Sequence, residues 1–313
     1  MKKILIIGAS GFVGTNLTKY MLSKSKYQIT TVSRYSKNTF NKEPLKNHII
    51  KDLTKIKNWK KIISGHDIVI LSFGIAHKNF VSLDKYEKIN VRVTEKIVKE
   101  CLKNKVKKII FISSVSVFGE NKSGLKYFSE NSNCQPVSAY GKSKLIAEKK
   151  IIKLCRGKIK YFILRPPMIY GFPLRGNLKN LIHLINYKVP MPFKSVNSKR
   201  SYIYIKNLLY FIYLCTLERS IQGIYLISDD NDVSINKFIN EVCKVQRIYN
   251  VQFSMHPSVF NLMFYIPLLS KFVKKTTTPF RLNISMAKKK MKYKPIYNFK
   301  NAIKDMYGEN YTA

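Results

Sequence analysis

One stretch constrains this chain more than any other: IIGASGFVG, residues 6–14. The apolar run ILII (4–7) enters three glycines spaced Gly8-x-x-Gly11-x-x-Gly14, and the segment that follows, VGTNLTKYMLSK, repeats with a helical period. A strand that passes through glycines into a helix must turn tightly. It leaves backbone amides at the helix start with no Cβ in front of them. That is what a pyrophosphate group needs, so the turn predicts a dinucleotide site. The first gap is one residue longer than in G-x-G-x-x-G.

Further apolar runs recur as QITTV (28–32), IVILSF (68–73), IIFIS (109–113) and YFILR (161–165), with helical segments such as VRVTEKIVKECLKN between them. Continuously apolar strands alternating with helices imply a parallel sheet covered on both faces. The fold class expected is therefore α/β: a Rossmann-type doubly wound parallel sheet with a smaller, partly interleaved C-terminal substrate-binding region. The pattern changes after residue 167, where prolines 166, 167, 173, 190 and 192 cluster. The expected division is 1–167 for the dinucleotide and 168–313 mainly for substrate, with parts of 195–230 returning to the first.

The end of the second strand reads TVSRYSK, where an acidic residue would hold adenosine ribose hydroxyls. Ser33 and Arg34 stand there instead and suit a 2′-phosphate. NADP(H) is the cofactor this favours, with NAD(H) left open. Asp52, in KDLT (51–54), is a candidate partner for adenine.

SAYGKSK (138–144) places Tyr140 one helical turn before Lys144. A free phenol titrates near ~10, too high for a base at neutral pH. A neighbouring ammonium is expected to lower that value, so that the pair exchanges a substrate hydroxyl proton while hydride moves at the same carbon. FISSVSVFGE (111–120) ends an apolar strand in serines, and Ser114 is the one expected beside Tyr140.

Composition bounds the remaining classes. The net charge is +40, from 57 basic and 17 acidic residues, yet only nine of the basic residues are arginine and the lysines run along the whole chain. A spread of lysine argues against a focused nucleic-acid stripe, so no nucleic-acid partner is expected, although anionic ligands and membrane surfaces would be attracted. Five cysteines (101, 134, 155, 215, 243) show neither CxxC nor a cluster with histidine, so no disulfide framework or metal site is expected. No apolar run reaches membrane-spanning length, and the N-terminal lysines with ILII read as a buried strand rather than a leader. A cytoplasmic protein without stable membrane insertion is expected. The segment PSVFNLMFYIPLLSKFVKK (257–275) reads as an interrupted helix over the substrate pocket, with contact to a membrane surface as the other reading.

Taken together, GASGFVG (8–14), SFGIAH (72–77), KINVRVT (88–94), FISSVSVFG (111–119), YGKSK (140–144), LRPPMIYG (164–171), GNL (176–178) and KRSYIYIKNL (199–208) resemble the extended short-chain dehydrogenase/reductases, the NAD(P)-dependent epimerase/dehydratase family. The resemblance follows family order over roughly the first two-thirds of the chain. It implies a pyrophosphate cradle of Gly8, Gly11, Phe12, Val13 and Gly14, with Asp52 and Leu53 beside adenine. Phe73, Gly74 and Ala76 would run along the cofactor with Asn90 behind them, and Pro167 and Met168 would edge the nicotinamide. Ser114, Tyr140 and Lys144 match the catalytic trio; Ser116, Asn177 and Arg200 fall at substrate positions, the last facing a phosphate. Where family dehydratases carry an Asp-Glu pair, this chain has Val115 and Ser116, and it has Phe118 where a tyrosine is common; dehydratase chemistry is excluded on that ground. His77 and Arg281 are weaker candidates for the sugar site.

The activity implied is NAD(P)-dependent oxidoreduction at C4 of a UDP-hexose, N-acetylated, as a 4-ketoreductase of surface-polysaccharide synthesis similar to the UDP-N-acetyl-quinovosamine dehydrogenases. The alternative is a UDP-sugar 4-epimerase with tightly bound NAD. A non-catalytic dinucleotide-binding regulator is the distant third. A homodimer is left open.

Overall fold

The computed structural model describes residues 1–35, 45–75, 81–120, 124, 126–218, 220–256, 258–259 and 278–308, with the side chain of Asn177 outside that set. Seven strands form one sheet in the order β3-β2-β1-β4-β5-β6-β9: β1 (Lys2–Ile7), β2 (Tyr27–Ser33), β3 (Lys46–Ile49), β4 (Ile68–Leu71), β5 (Lys108–Ile112), β6 (Lys160–Arg165) and β9 (Gly223–Leu226). Every pairing within it is parallel. Two short strands, β7 (Met168–Tyr170) and β8 (Tyr202–Tyr204), pair apart from it. The strand order reverses between β1 and β4, and ligands of doubly wound sheets lie outside the carboxyl ends at such a reversal.

The apolar runs are continuous because both faces are covered. Ile4 and Ile6 of β1 point into one core with Leu17 and Met21 of α1 (Phe12–Leu22) and with Leu208 and Phe211 of α7 (Ile205–Leu217). Leu5 and Ile7 point the other way, into a core with Ile63 of α2 (Lys60–Ile63), Ile97 of α4 (Val93–Lys103) and Ile151 of α5 (Ala139–Cys155). Side chains alternate along a strand, so four consecutive apolar residues serve two cores, each side chain contributing ~1.5–3 kcal/mol on full burial. Between β4 and α4 lie α3 (Leu83–Tyr86) and a wide π turn at Glu87–Arg92. The remaining helices are α6 (Gly176–Asn186), α8 (Ile235–Gln246), α9 (Ser285–Met291) and α10 (Phe299–Gly308).

Two buried polar groups tie the later segments to the sheet. Lys108, at the start of β5, donates from Nζ to the carbonyls of Cys215, Thr216 (3.2 Å) and Glu218, so an ammonium caps the C-terminus of α7. Burial pushes that ammonium down to about 8. Asp229, just beyond β9, accepts from Tyr170 Oη (2.7 Å), Tyr204 N (2.9 and 3.1 Å) and Asn207 Nδ2 (2.7 Å). One carboxylate thus fastens β7, β8 and α7 together, and its burial raises it to about 6. None of the described helices is long and apolar enough to cross a membrane.

Candidate active site

The loop after β1 is shaped by what a Cβ would strike. At Gly8, where φ is +98°, a Cβ would lie 2.6 Å from Phe73 N; at Gly14 it would lie 2.2 Å from Gly8 O. Those two positions hold the loop against β4 and against itself. Gly11 differs: a Cβ there meets only Gly8 O, at 3.2 Å. It N-caps α1, whose first turn has neither a side-chain cap nor an acid. Amides at such a helix start favour an anion. Ala9 is fully buried, and Phe12 and Val13 lean on the α1 side of the core.

Asn90 sits in the π turn, a feature often found at functional sites. It is 2% exposed and uses both ends of its amide. Oδ1 accepts from Ile75 N (2.8 Å), while Nδ2 donates to Ile75 O (3.2 Å) and to Ser143 Oγ (3.0 Å) of α5. The loop Phe73–Gly74–Ile75 is thereby locked to the helix that carries Tyr140 and Lys144. Ala76 and His77 lie outside the described residues.

Lys144 is buried; its Nζ donates to Ile112 O at the end of β5 (2.9 Å) and lies 4.5 Å from the centroid of the Phe111 ring. Burial lowers its pKa to about 8, opposed by the charge of Glu148. The folded value is below the ordinary 10.5, so folding releases a proton between about pH 8 and 10.5 and stability rises with pH there. Lys144→Met is therefore expected to raise the stability of dinucleotide-stripped protein at pH 7 by up to about 3 kcal/mol, a gain that fades above pH 8. Denaturant melts at pH 7 and pH 10 measure this; equal stability of variant and wild type at both would show that burial of the ammonium costs nothing.

Ser114, two residues beyond β5, N-caps a short turn by accepting from Ser116 N (3.1 Å), and donates to Ser116 Oγ (3.1 Å). Its side chain also hydrogen-bonds Tyr140. Val115 N donates to Pro166 O (3.1 Å), which holds this turn beside the end of β6. Tyr140 is half-buried near the start of α5, with the Tyr86 ring centroid 6.2 Å away. The approach of α5 to this turn depends on Gly141, where a Cβ would meet Ser116 O at 2.3 Å.

The expectation that the ammonium lowers the phenol is corrected here. Desolvation drives Tyr140 up to about 12; Ser114 pulls it down and Tyr86 pushes it up. The Lys144 Nζ is directed at Ile112 O and the Phe111 face.

A third member of the ladder follows at the same spacing. Glu148, 1% exposed, lies four residues beyond Lys144. It accepts from Ser113 Oγ and pairs with the buried Arg165 through Nε (3.1 Å) and Nη2 (2.7 Å). Arg165 lies 5.1 Å from the ring of Phe118.

The other expected residues are placed as follows. Ser33 is 4% exposed, and its hydroxyl lies 2.9 Å from Tyr35 O and 3.0 Å from Asn47 Oδ1. It is engaged with the protein's own acceptors, which weakens the argument for a 2′-phosphate; Arg34 alone of the two is exposed. Asp52 is exposed and caps its own turn, accepting from Thr54 N (2.9 Å) and Oγ1 (2.7 Å); Thr54 holds its carboxyl below the usual range. Leu53 packs on the α4–α5 side of the sheet. Pro167 is buried and Met168 is 40% exposed, just beyond β6. Asn177 is the second residue of α6.

Arg200 precedes β8, and its Nη1 donates to Thr278 O, with the guanidinium 5.4 Å from the Phe280 ring. Burial lowers its pKa, and no carboxylate pairs with it among the described residues. Arg281, by contrast, is already paired: Nε donates to Asp232 Oδ2 (2.7 Å). A desolvated guanidinium without a carboxylate suits an anionic ligand group, so Arg200 is the better phosphate candidate of the two.

The residues around the β1–β4 reversal fit a dinucleotide. The open side of Gly11 and the uncapped start of α1 suit a pyrophosphate, and the strand ends bring Gly74, Ser114, Tyr140 and Lys144 to the same edge. Sequence reasoning set Asn90 behind the cofactor loop but missed its link to Ser143, the spacing role of Gly141 and the Ser113–Glu148–Arg165 cluster. For the last, the signal was present as Tyr140, Lys144 and Glu148 at intervals of four.

Comparison with known proteins agrees with this architecture. The chain is 31% identical over 248 residues to UDP-glucose 4-epimerase of Vibrio cholerae, covering 77% of this chain and 75% of that protein. It is 30% identical over 251 residues to N-acetyl-alpha-D-glucosaminyl-diphospho-ditrans,octacis-undecaprenol 4-epimerase of Escherichia coli O157:H7, covering 76% and 71%. Among solved structures, UDP-glucuronic acid 4-epimerase from Bacillus cereus, in complex with NAD, superposes with a TM-score of 0.80 over 98% of this chain and 96% of that one, at 21% identity, a likeness of fold. The model of the NAD dependent epimerase/dehydratase family matches residues 4–227, and the chain belongs to that family.

Proposed function

We propose that this enzyme is a 4-epimerase that inverts C4 of a hexose carried on a diphosphate, with UDP-linked N-acetylhexosamines in the first rank of substrates and NAD retained through the cycle. The observation that carries it is the meeting of Ser114, Tyr140 and Lys144 at the sheet edge beside the Gly8–Gly14 loop. The ketoreductase reading leaned on an NADP(H) preference. Ser33 turned toward Asn47 and Tyr35 removes half of that argument, and both curated relatives above are named as 4-epimerases.

Residues before 168 hold the dinucleotide in this proposal, and those after it hold mainly the sugar diphosphate. NAD, held by the Gly8–Gly14 loop, would supply the hydride acceptor and donor for C4. Tyr140 takes the O4 proton and gives it back. It does so as the phenolate, which the Ser114 hydrogen bond favours against the desolvation that otherwise holds the phenol near 12; the proton gained from O4 in the first half is the one returned in the second. Ser114 also orients O4. Lys144 is fixed by Ile112 O and Asn90 fixes the adjoining loop, so the proton carrier and the cofactor edge keep one geometry. Arg200 and Asn177 would grip the diphosphate.

A second reading changes only the carrier: a sugar on a polyprenyl diphosphate, supported by the name of the Escherichia coli relative. The decisive experiment is to purify the chain, extract it for nicotinamide and supply UDP-N-acetylglucosamine without NADPH. Retained NAD and formation of the C4 epimer are expected. Empty protein that consumes NADPH only on a 4-keto sugar nucleotide would return the assignment to a ketoreductase.

A further inference from the structure

A surface helix normally turns polar side chains to solvent. α6 does so with Lys179, Asn180, His183 and Asn186, but its C-terminal end and the chain that follows do not. Leu181, Ile182 and Ile185 are buried, yet Leu184 is 39% and Tyr187 78% exposed, and Val189 follows at 37%. The chain that leaves α6 is then zipped to the chain that leaves α8. Met191 N donates to Val251 O (3.4 Å), Phe253 N to Met191 O (3.0 Å) and Lys194 N to Phe253 O (3.2 Å). The pairing sets Tyr249 and Phe253, 78% and 43% exposed, on the segment running beside the first. With Val259, six of the sixteen large apolar residues exposed among the described residues belong to these two segments.

Charge separates the candidate occupants. Residues 173–200 and 234–259 contain nine lysines and arginines against a single acid, Glu241. The whole chain has 57 against 17, so this region is poorer in acid than the rest. A protein–protein patch tends to be depleted of lysine at its centre. Aromatic rings interleaved with cations match the headgroup region of an anionic bilayer, where rings sit at the boundary and ammonium groups meet lipid phosphates.

We propose that this face, α6 together with the zipped segments 189–194 and 249–253, docks on an anionic membrane surface. Its bearing on substrate rests on the epimerase reading. α6 and its C-cap carry the chain about 15 Å from Asn177, at the proposed diphosphate site, to Tyr187 at the docking face. A diphosphate sugar on a membrane carrier would then present its sugar within reach of the crevice. Docking itself stands apart from that reading.

The test is flotation of the full chain with phosphatidylglycerol vesicles and with phosphatidylcholine vesicles. Wild type is compared with Tyr187→Ser/Tyr249→Ser and with Lys188→Glu/Lys194→Glu, the exposed lysines beside Tyr187 and in the zipped segment, and each protein is assayed on UDP-N-acetylglucosamine in solution. Binding to phosphatidylglycerol alone is expected, weakened about tenfold or more by either pair of changes, with turnover in solution unchanged. No binding to phosphatidylglycerol overturns the proposal. So does binding that the serine pair leaves intact, or that duplex DNA displaces equally well from wild type and the serine pair, since either marks a generic polycation. If flotation behaves as expected while no protein turns over the sugar, the epimerase reading fails and the docking face remains.

Discussion

Tyr140→Phe is expected to cut epimerase turnover by about 10²–10⁴-fold, the range that a positioned proton carrier contributes. Dinucleotide retention should be unaffected, because the loop at Gly8–Gly14 and the Asn90 tether do not involve the phenol. The change removes one hydroxyl hydrogen-bonded to Ser114 and otherwise keeps the ring against Tyr86, so stability should move little. Steady-state rates on a UDP-hexose, together with nicotinamide content, separate the two effects. A loss smaller than tenfold would move the proton to another group, and loss of dinucleotide along with turnover would make the tyrosine a binding residue.

The second large effect concerns stability. Glu148→Ala should destabilise the fold by about 3–5 kcal/mol, because Arg165 would remain buried without its carboxylate and Ser113 would lose its acceptor. Replacing both partners, Glu148→Met with Arg165→Met, should recover most of that loss, since neither buried charge is then left alone. Urea midpoints for the wild type, Glu148→Met, Arg165→Met and the double variant form the cycle, with Glu148→Ala measured beside it. A Glu148→Ala midpoint equal to wild type would show that the pair adds nothing to stability. The cluster abuts the site through Ser113, next to Ser114, and through the charge it presents to Lys144.

The parallel sheet was legible because β1, β4, β5 and β6 are each buried on both faces, and such strands stand out as unbroken apolar runs. The polar edge strand β3 and the three- and four-residue strands β7, β8 and β9 carry no such run; their pairing is decided by neighbours distant in sequence. The proposed trio was put together from helical spacing, which sets Tyr140 and Lys144 on one face, and from the strand end that precedes Ser114. What the lysine does with its charge could not be read that way. Spacing by four predicts a phenol–ammonium contact, whereas burial and the carbonyl of Ile112 take the ammonium to the strand. Likewise Ser33 was identified at the right strand end, but its direction is set by Asn47, a neighbour across the β2–β3 pairing that spacing along one segment does not reveal.

The carboxylate at Asp229 has a mechanical consequence. Swinging β7 and β8 away from the sheet would strip its bonds to Tyr170 and Tyr204 and leave a buried carboxylate with Asn207 alone. The β7–β8 pair is thereby fixed to the end of β9 and to the start of α7 through one side chain.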